Sequence, residues 1–113
     1  MLLDADGVVM VDRVTERLRM SKVQLAETIG LSPETLQRST RAAAPRTQMR
    51  VRELLEIVQR VSAWAGGEAQ AVAWYRGEPI PAFGDRTAES LVKEGRAAAV
   101  RDYLDHVALG GFA

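Results

Sequence analysis

The hydrophobic and polar positions along the chain repeat with the period of helices. Stretches rich in Ala and Leu alternate with short breaks at Gly and Pro, and no strand-like alternation of useful length occurs. The pattern therefore predicts an all-α protein. The predicted helices cover, in chain order, about Val11–Met20, Lys22–Ile29, a segment capped by Ser32 with Pro33 in its first turn, a long helix capped by Thr47 that stops at Gly66, Glu68–Arg76, a segment capped by Thr87, and about Arg96–Leu109.

The long helix, with the sequence QMRVRELLEIVQRVSAWA, has an apolar surface wider than a single stripe. One row of apolar positions is widened by a second row on its flank, and the members of both rows are Val51, Leu54, Leu55, Val58 and Ala65, then Ile57, Val61 and Trp64. So wide a surface is typical of a helix that is buried from two sides. Two interpretations remain open: the helix joins an N-terminal half to a C-terminal half, or it also forms the seam of a dimer.

Length and composition limit the class of protein. With 113 residues and 47% apolar residues, the chain can form one domain or two very small ones, each with a core. No apolar run approaches the roughly 20 residues that span a bilayer, and the N-terminus carries acids where a signal peptide carries basic residues. The absence of cysteine excludes disulfides and thiolate metal sites. We therefore expect a cytoplasmic protein with no membrane partner.

The net charge of zero conceals an uneven distribution along the chain. Residues 64–113 carry seven acidic and five basic side chains, a balance of −2, whereas residues 19–52 have a balance of +5. The second segment has Glu27 and Glu34 as its acids, and its basic residues are Arg19, Lys22, Arg38, Arg41, Arg46, Arg50 and Arg52. A basic segment inside a neutral protein is compatible with a nucleic-acid interface, although a solvated face has the same composition.

The stretch KVQLAETIGLSPETLQRS has the spacing of a helix-turn-helix. Ala26 supplies the small side chain that two steeply crossing helices need, and Gly30, four residues later, tolerates positive φ in the turn. Leu36 directs the second helix into the core, together with the packing positions Leu25, Ile29 and Leu31. The outward positions then fall on a recognition helix, as in DNA-binding proteins of this architecture, and they are Ser32, Glu34, Thr35, Gln37, Arg38 and Arg41.

From about Asp12 to Arg60 the chain resembles the helix-turn-helix of Xre-type (Cro/repressor-like) regulators. The resemblance implies that the chain binds operator DNA, as a homodimer that reads two half-sites. Candidate DNA-binding residues are Ser32, Glu34, Thr35, Gln37, Arg38, Arg41, Arg46 and Arg50. Gln37 and Arg38 are expected at base edges and the last three arginines at phosphates. Glu34 either accepts from a cytosine amino group or stabilises the helix dipole.

The C-terminal half has a second ordered pattern. Trp74 precedes Pro79, then Phe83-Gly84, Thr87, Leu91 and Gly95 follow, and the chain ends in ALGGFA after an apolar helix. From about Ala71 to Ala113 this order resembles the C-terminal toxin-binding domain of the Xre/MbcA/ParS-like antitoxins. That family has a GGRTP-like turn where this chain has Asp85 for the second Gly and Ala88 for Pro. Asp tolerates left-handed backbone better than most residues, so we expect the turn to persist.

The resemblance implies a partner and a mechanism. Antitoxins of this family pair with RES-domain toxins, which act on NAD as NAD-degrading or ADP-ribosylating enzymes, and they cover the toxin's active-site cleft. The resemblance implies that Phe112 fills a pocket in that cleft and that the Ala113 carboxylate meets a basic group there, with Gly110 and Gly111 freeing the chain from the helix. Polar contacts at the rim would come from Arg86, Lys93, Glu94 and Arg96, although a solvated face or a terminus folded onto its own core fits the same residues.

No residues of the chain form a pattern typical of catalysis. His106, the only histidine, lies near Asp102 and Asp105 but lacks the further ligands that a metal needs, so we expect a surface histidine. Trp64, Trp74 and Tyr75 are expected in the core, with Trp74 and Phe83 bracing the proline loop. No cofactor is expected.

Taken together, the sequence predicts an N-terminal helix-turn-helix bundle over residues 1–62, joined by the long helix to a small helical toxin-binding domain over residues 63–113. The expected function is that of a non-enzymatic antitoxin and autorepressor. One alternative is a plain helix-turn-helix transcription regulator whose C-terminal half only dimerises, and another is a protein-binding inhibitor whose helix-turn-helix no longer binds DNA.

Overall fold

The computed structural model describes residues 2–108, and of residues 39 and 40 only the backbone. Regular structure in this part of the chain is helical, apart from the isolated bridges Leu3–Val9 and Ile80–Arg86, so the predicted all-α class is confirmed. The elements are α1 (Val11–Leu18), α2 (Lys22–Ile29), α3 (Pro33–Gln37), α4 (Ser39–Ala42), α5 (Pro45–Ala65), α6 (Glu68–Gly77), the 3-10 turn η1 (Pro81–Phe83), α7 (Ala88–Lys93) and α8 (Ala97–Ala108). None of the helices within these residues combines the length and apolarity that a bilayer crossing requires.

The chain forms two compact units that divide between Leu54 and Leu55. Helix α5 runs across this division, as the interpretation of a joining helix requires. The sequence-based boundary between residues 62 and 63 lies eight residues further along and stays a prediction, as does the dimer seam.

In the first unit, α1 packs against α2, α2 against α3, and α3 against α4. The core of this unit is mainly apolar, although Thr28 and Thr47 are buried as well, and its most deeply buried apolar side chains include Val14, Leu25, Ala26, Ile29, Leu36, Val51 and Leu54. Helix α1 ends two residues earlier than predicted, because Arg19 takes a left-handed conformation and the Met20 amide donates to the Thr15 carbonyl at 3.1 Å. This backbone turn satisfies carbonyls at the helix end.

In the second unit, α6 packs against α7, and α7 against α8. Its core is formed by Ile57, Val58, Val61, Ala71, Tyr75, Ile80, Ala88, Leu91, Val92, Ala97, Val100 and Leu104. Two ion pairs join α5 to α8: Arg101 forms a two-pronged contact with Glu56 at 2.8 and 3.0 Å, and Arg60 bonds Asp105. The wide apolar surface of α5 thus supplies core residues to both units.

The start of α5 differs from the expectation. The helix begins at Pro45, two residues before Thr47, and Thr47 is buried at 3% exposure inside the first turn. Proline suits this position because its ring presets a helical φ and its missing N–H would lack an intrahelical partner. Thr47 is therefore a core residue of the first unit and not the predicted cap.

Candidate functional sites

The helix-turn-helix spacing of the first unit produces the expected geometry. Ser21 and Gln24 form a reciprocal capping box at the start of α2, with distances of 2.8 and 3.0 Å. Ala26 is fully buried, Gly30 turns the chain at φ +76°, and Leu36 is 2% exposed. The positions assigned to Ala26, Gly30 and Leu36 are confirmed, and they hold α3 against α2.

The recognition segment is shorter than the sequence suggested. Helix α3 ends at Gln37, and Arg38 has extended backbone at φ −102° and ψ 120° before α4 begins. The next residues, at positions 39 and 40, already belong to the separate short helix α4. The expectation that Arg38 and Arg41 lie on one continuous helix with Gln37 is wrong.

The start of α3 also differs in detail. Ser32 does not accept from the backbone of the first turn; its hydroxyl bonds the Thr35 hydroxyl at 2.9 Å. Pro33 occupies the first turn as predicted. Ser32 is exposed, whereas Thr35 is only half-exposed.

Most of the remaining DNA-binding candidates lie on the surface of the first unit. Glu34, Gln37 and Arg38 are exposed around α3, and Arg41 is exposed on α4. Arg46 and Arg50 lie in the first two turns of α5, the former exposed and the latter half-buried. The positive side chains are thus distributed over several elements and not along one helix.

The N-terminal ten residues were not given a role by the sequence analysis. Asp4 closes a turn, since its carboxylate accepts from the Asp6 and Val8 amides, each at 2.9 Å. The buried Gln48 side chain of α5 then pairs with both backbone groups of Val9, at 2.7 and 3.1 Å. The DADG sequence, with turn-forming residues before Val8, is the signal that could have predicted this turn.

This N-terminal segment places acidic side chains near the recognition segment. Asp4, Asp6 and Asp12 line a cavity of about 650 Å³ together with Leu36 and Gln37. Asp12 also pairs with Lys22 at 3.1 Å. The surface around Gln37 is therefore less positive than the charge count of residues 19–52 suggests.

In the second unit, the proline loop between α6 and α7 is closed by backbone bonds. The amide of Ile80 donates to the carbonyl of Arg86, and the Asp85 amide donates back to the Ile80 carbonyl, both at 3.0 Å. Gly84 and Asp85 both have left-handed backbone, at φ +68° and +66°. The turn therefore persists with Asp in place of Gly, as predicted, and Thr87 caps α7 by accepting from the Ser90 amide at 3.1 Å.

Three of the four polar residues predicted at a toxin interface gather around this loop. Arg86 pairs with Glu94, and the guanidinium of Arg96 lies 5.9 Å from the centre of the Phe83 ring. The hydrogen bond from Arg86 lowers the pKa of Glu94, with smaller contributions from the charges of Arg86 and Arg96, and the same hydrogen bond raises the pKa of Arg86. Arg86, Glu94 and Arg96 thus form one charged cluster beside an aromatic ring.

Lys93 belongs to a second set of ion pairs. It contacts Glu89 at 3.3 Å, and the same carboxylate accepts from Arg76 at 2.8 Å. Lys93 is therefore held along α7 and is not part of the Arg86 cluster. The predicted contacts at Gly110, Gly111, Phe112 and Ala113 lie outside the described residues.

An aromatic groove in the second unit was not foreseen. Trp64 is 52% exposed, so its predicted place in the core is wrong, while Tyr75 is fully buried as expected. The rings of Trp64 and Trp74 meet edge to face at 5.8 Å, and the groove beside them has a volume of about 630 Å³. Trp74 is half-buried and lines this groove together with Pro79, Ile80 and Pro81, while the ring centres of Phe83 and Tyr103 lie 6.0 Å apart. That Trp74 and Phe83 brace the proline loop stays a prediction.

His106 is exposed on α8, as predicted for a surface histidine. Within residues 2–108, no cluster of three His, Asp or Glu side chains has the arrangement that would hold a metal ion.

Comparison with known protein families gives a match that lies within the second unit. Residues 60–110 match the family model of the antitoxin Xre/MbcA/ParS C-terminal toxin-binding domain. This confirms the resemblance inferred from the sequence: residues 60–110 are similar to the toxin-binding domain of that antitoxin family, which supports the role of an antitoxin in a toxin–antitoxin system. No curated protein matches the chain, and no solved structure matches it.

Proposed function

We propose that this chain is a non-catalytic, cytoplasmic antitoxin that neutralises a RES-domain toxin acting on NAD, by covering the active site of that toxin. We further propose that it represses its own operon by binding operator DNA as a homodimer. The observation that carries the proposal is the family match over residues 60–110, which takes in α6, η1, α7 and α8 of the second unit.

The toxin-binding residues follow from the charged cluster and the C-terminal segment. Arg86, Glu94 and Arg96 lie together beside Phe83, so they can meet polar groups around a cleft as a single rim. Lys93, which pairs with Glu89 and lies outside this cluster, is proposed as a further polar contact with the toxin. The segment Gly110–Ala113, with Phe112 as its one large side chain, is proposed to enter the cleft as an anchor.

The test is NAD consumption by the product of the adjacent gene, which the proposal expects to be a RES-domain toxin. The toxin is assayed alone, with the full chain, and with a chain that ends at Leu109. We expect the full chain to abolish NAD consumption and the shortened chain to inhibit at least tenfold less well. A chain with Phe112→Ser separates loss of the aromatic anchor from loss of the whole segment.

Each other outcome has a distinct meaning. Equal inhibition by the full and shortened chains would support the antitoxin function but show that Gly110–Ala113 are not needed to inhibit the toxin. Inhibition by neither chain would contradict the RES-toxin proposal and favour a plain helix-turn-helix regulator whose C-terminal half only dimerises.

DNA binding is supported by the geometry of α2, Gly30 and α3 and by exposed arginines around them. Gln37, at the end of α3, is proposed to read a base edge, and Arg38 continues that contact from extended backbone. Ser32, Glu34 and Thr35 occupy the first turn of α3, where they approach the same groove. Arg41, Arg46 and Arg50 are assigned to phosphates.

A salt titration of operator binding tests this assignment. Each phosphate contact contributes about 0.9 to the slope of log affinity against log salt, so Arg41→Ala should flatten the slope by about one. Arg96→Ala is the matched control, since Arg96 is an exposed arginine of the second unit. If the double variant Arg38→Ala/Arg41→Ala has the same slope of log affinity against log salt and binds as tightly as the original chain, DNA binding through this surface is excluded.

A further inference from the structure

The aromatic groove of the second unit is an apolar surface that the fold leaves open. Its lining combines the two tryptophans with the proline loop and the end of α8, represented by Trp64, Trp74, Pro79, Ile80, Tyr103 and Val107. Its volume of about 630 Å³ is enough for several side chains of a partner.

Trp64 shows that the groove is not simply an unfilled part of the core. The apolar stripe of α5 is fully buried at Ile57 and Val61, yet the next member of the stripe, Trp64, is 52% exposed. Its ring is held edge to face against Trp74 at 84°, so the ring is positioned while half of its surface faces solvent. An exposed, positioned tryptophan in an apolar patch is typical of an interaction surface.

One wall of the groove, the proline loop, is already ordered in the absence of a partner. Pro79 and Pro81 have a fixed φ, and the Ile80–Arg86 bridge closes the loop that carries them. A wall that is already ordered loses little conformational entropy when a partner docks. Among the described residues of the lining, Glu78 alone is charged, so this part of the groove presents one negative charge at an otherwise apolar surface.

We propose that this groove is a second docking surface for the toxin and takes a short apolar segment of the toxin that carries a lysine or arginine. The groove lies entirely between residues 64 and 108, inside the region that matches the toxin-binding domain. The apolar side chains of the segment pack on Trp64 and Trp74, and its basic group pairs with Glu78. The inference rests on the proposed binding of a toxin but not on the role of Gly110–Ala113.

The two tryptophans are the only ones in the chain, which gives the groove its own spectroscopic signal. The antitoxin is produced with 5-fluorotryptophan and titrated with the unlabelled toxin encoded beside its gene. We expect both fluorine resonances to shift on toxin binding, because both rings line the groove. Because only the antitoxin carries fluorine, tryptophans of the toxin contribute no signal to the spectra.

Variants then measure the contribution of the groove to affinity. Trp64→Ser is expected to weaken toxin binding at least tenfold, and Glu78→Lys is expected to weaken it while Glu78→Gln has the smaller effect. Met49→Ser is the matched control, because Met49 is equally exposed at 52% on the same helix but belongs to the first unit. Circular dichroism verifies that each variant is folded.

Three results would overturn the proposal while leaving toxin binding intact. The first is wild-type affinity in Trp64→Ser and Glu78→Lys, with unshifted resonances in the toxin complex. The second is a shift on dilution of the antitoxin alone, which assigns the groove to a second copy of the chain. The third is a shift on removing residues 110–113 before any toxin is added, which assigns it to the chain's own C-terminal segment. A wild-type chain that binds no toxin would instead refute the proposed function, and this inference with it.

Discussion

At the scale of single residues, Gln48 shows how one buried polar side chain fixes a segment with little regular structure of its own. Its amide oxygen accepts from the Val9 amide, and its amide nitrogen donates to the carbonyls of Val9 and Ala42. Gln48 is only 9% exposed, so water does not readily replace these bonds. Gln48, which lies 39 residues away from Val9 in the sequence, thus helps to hold the N-terminal segment, together with Arg52, which donates to the Gly7 carbonyl.

Replacing this residue tests that dependence. Gln48→Leu keeps the size of the side chain but leaves the backbone groups of Val9 without partners, and we expect it to lower the free energy of unfolding by about 2–3 kcal/mol. Urea denaturation followed by circular dichroism measures the change. Gln59→Leu, at an exposed position of the same helix, should stay within about 0.5 kcal/mol of the original chain. Equal midpoints for the two variants would contradict this account.

The Arg86–Glu94 pair gives a prediction about protonation. The hydrogen bond from Arg86 lowers the pKa of Glu94 in the folded chain, so the pair is fully present above the carboxyl's unfolded pKa and is lost as pH falls through the lower, folded value. A carbon-13 titration of the Glu94 carboxyl should therefore give a midpoint below the ordinary value of about 4.3.

The matched variants identify the cause of this shift. Arg86→Ala should raise the Glu94 midpoint toward the ordinary value, because Arg86 is the largest contributor. Arg76→Ala removes an arginine that pairs with Glu89 and should leave the Glu94 midpoint in place. A midpoint that is unaffected by Arg86→Ala would show that the pair does not form in solution.

At the scale of elements, the Gly30 turn and the recognition segment differ in how well the sequence predicted them. The Gly30 turn was predicted correctly because one residue type satisfies its left-handed backbone. The prediction of one continuous recognition helix was wrong beyond Gln37, because the sequence up to Arg41 is compatible with one helix or with two short ones. Helices this short are marginal alone, so their packing in the unit decides where they end.

Asp85 provides a prediction for the proline loop. Its left-handed backbone at φ +66° is unfavourable for a residue with a Cβ atom, so Asp85→Gly should raise the free energy of unfolding by about 0.5–1 kcal/mol and Asp85→Ala should lower it. Ala82→Gly, in the same loop but within η1, should instead be destabilising, because glycine there only adds freedom to the unfolded chain. Thermal denaturation compares the three, and the same sign for both glycine variants would contradict the argument.

At the scale of the whole molecule, α5 is the element that both units share. Val51 and Leu54 belong to the core of the first unit, while Ile57, Val58 and Val61 belong to that of the second. Because helix formation is cooperative along a continuous segment, loss of one half of α5 disfavours the other half. We therefore expect the two units to unfold in one transition.

Ile57→Ala tests this coupling. The substitution leaves a cavity in the second unit and should cost about 2–5 kcal/mol. Tryptophan fluorescence reports on the second unit, which holds both tryptophans, and hydrogen exchange of α2 amides reports on the first. The denaturation midpoint from fluorescence and the hydrogen-exchange protection of the α2 amides should both fall. Val23→Ala, at an exposed position of α2, should change neither quantity. A fall in the fluorescence midpoint alone would show two independent units.

The family match and the helix-turn-helix spacing were accessible from the sequence because they depend on local residue types. Ala26, Gly30 and Leu36, like the cap Thr87, suit the backbone geometry or the packing set by residues only a few positions away. The aromatic groove was not accessible in this way. Trp64 continues an apolar stripe, and nothing in the periodicity distinguishes its exposed position from the buried positions of Ile57 and Val61.

The sequence by itself determined the helical class, the main turns and the antitoxin family of the C-terminal region, because periodicity, caps and glycine positions act over one or two helical turns. Only the tertiary structure decided that Thr47 is buried, that Gln48 holds the N-terminal segment, that Arg86, Glu94 and Arg96 form one cluster, and that Trp64 and Trp74 open a groove. These features join residues that are distant along the chain, and burial and pairing between distant residues are set by how the helices pack.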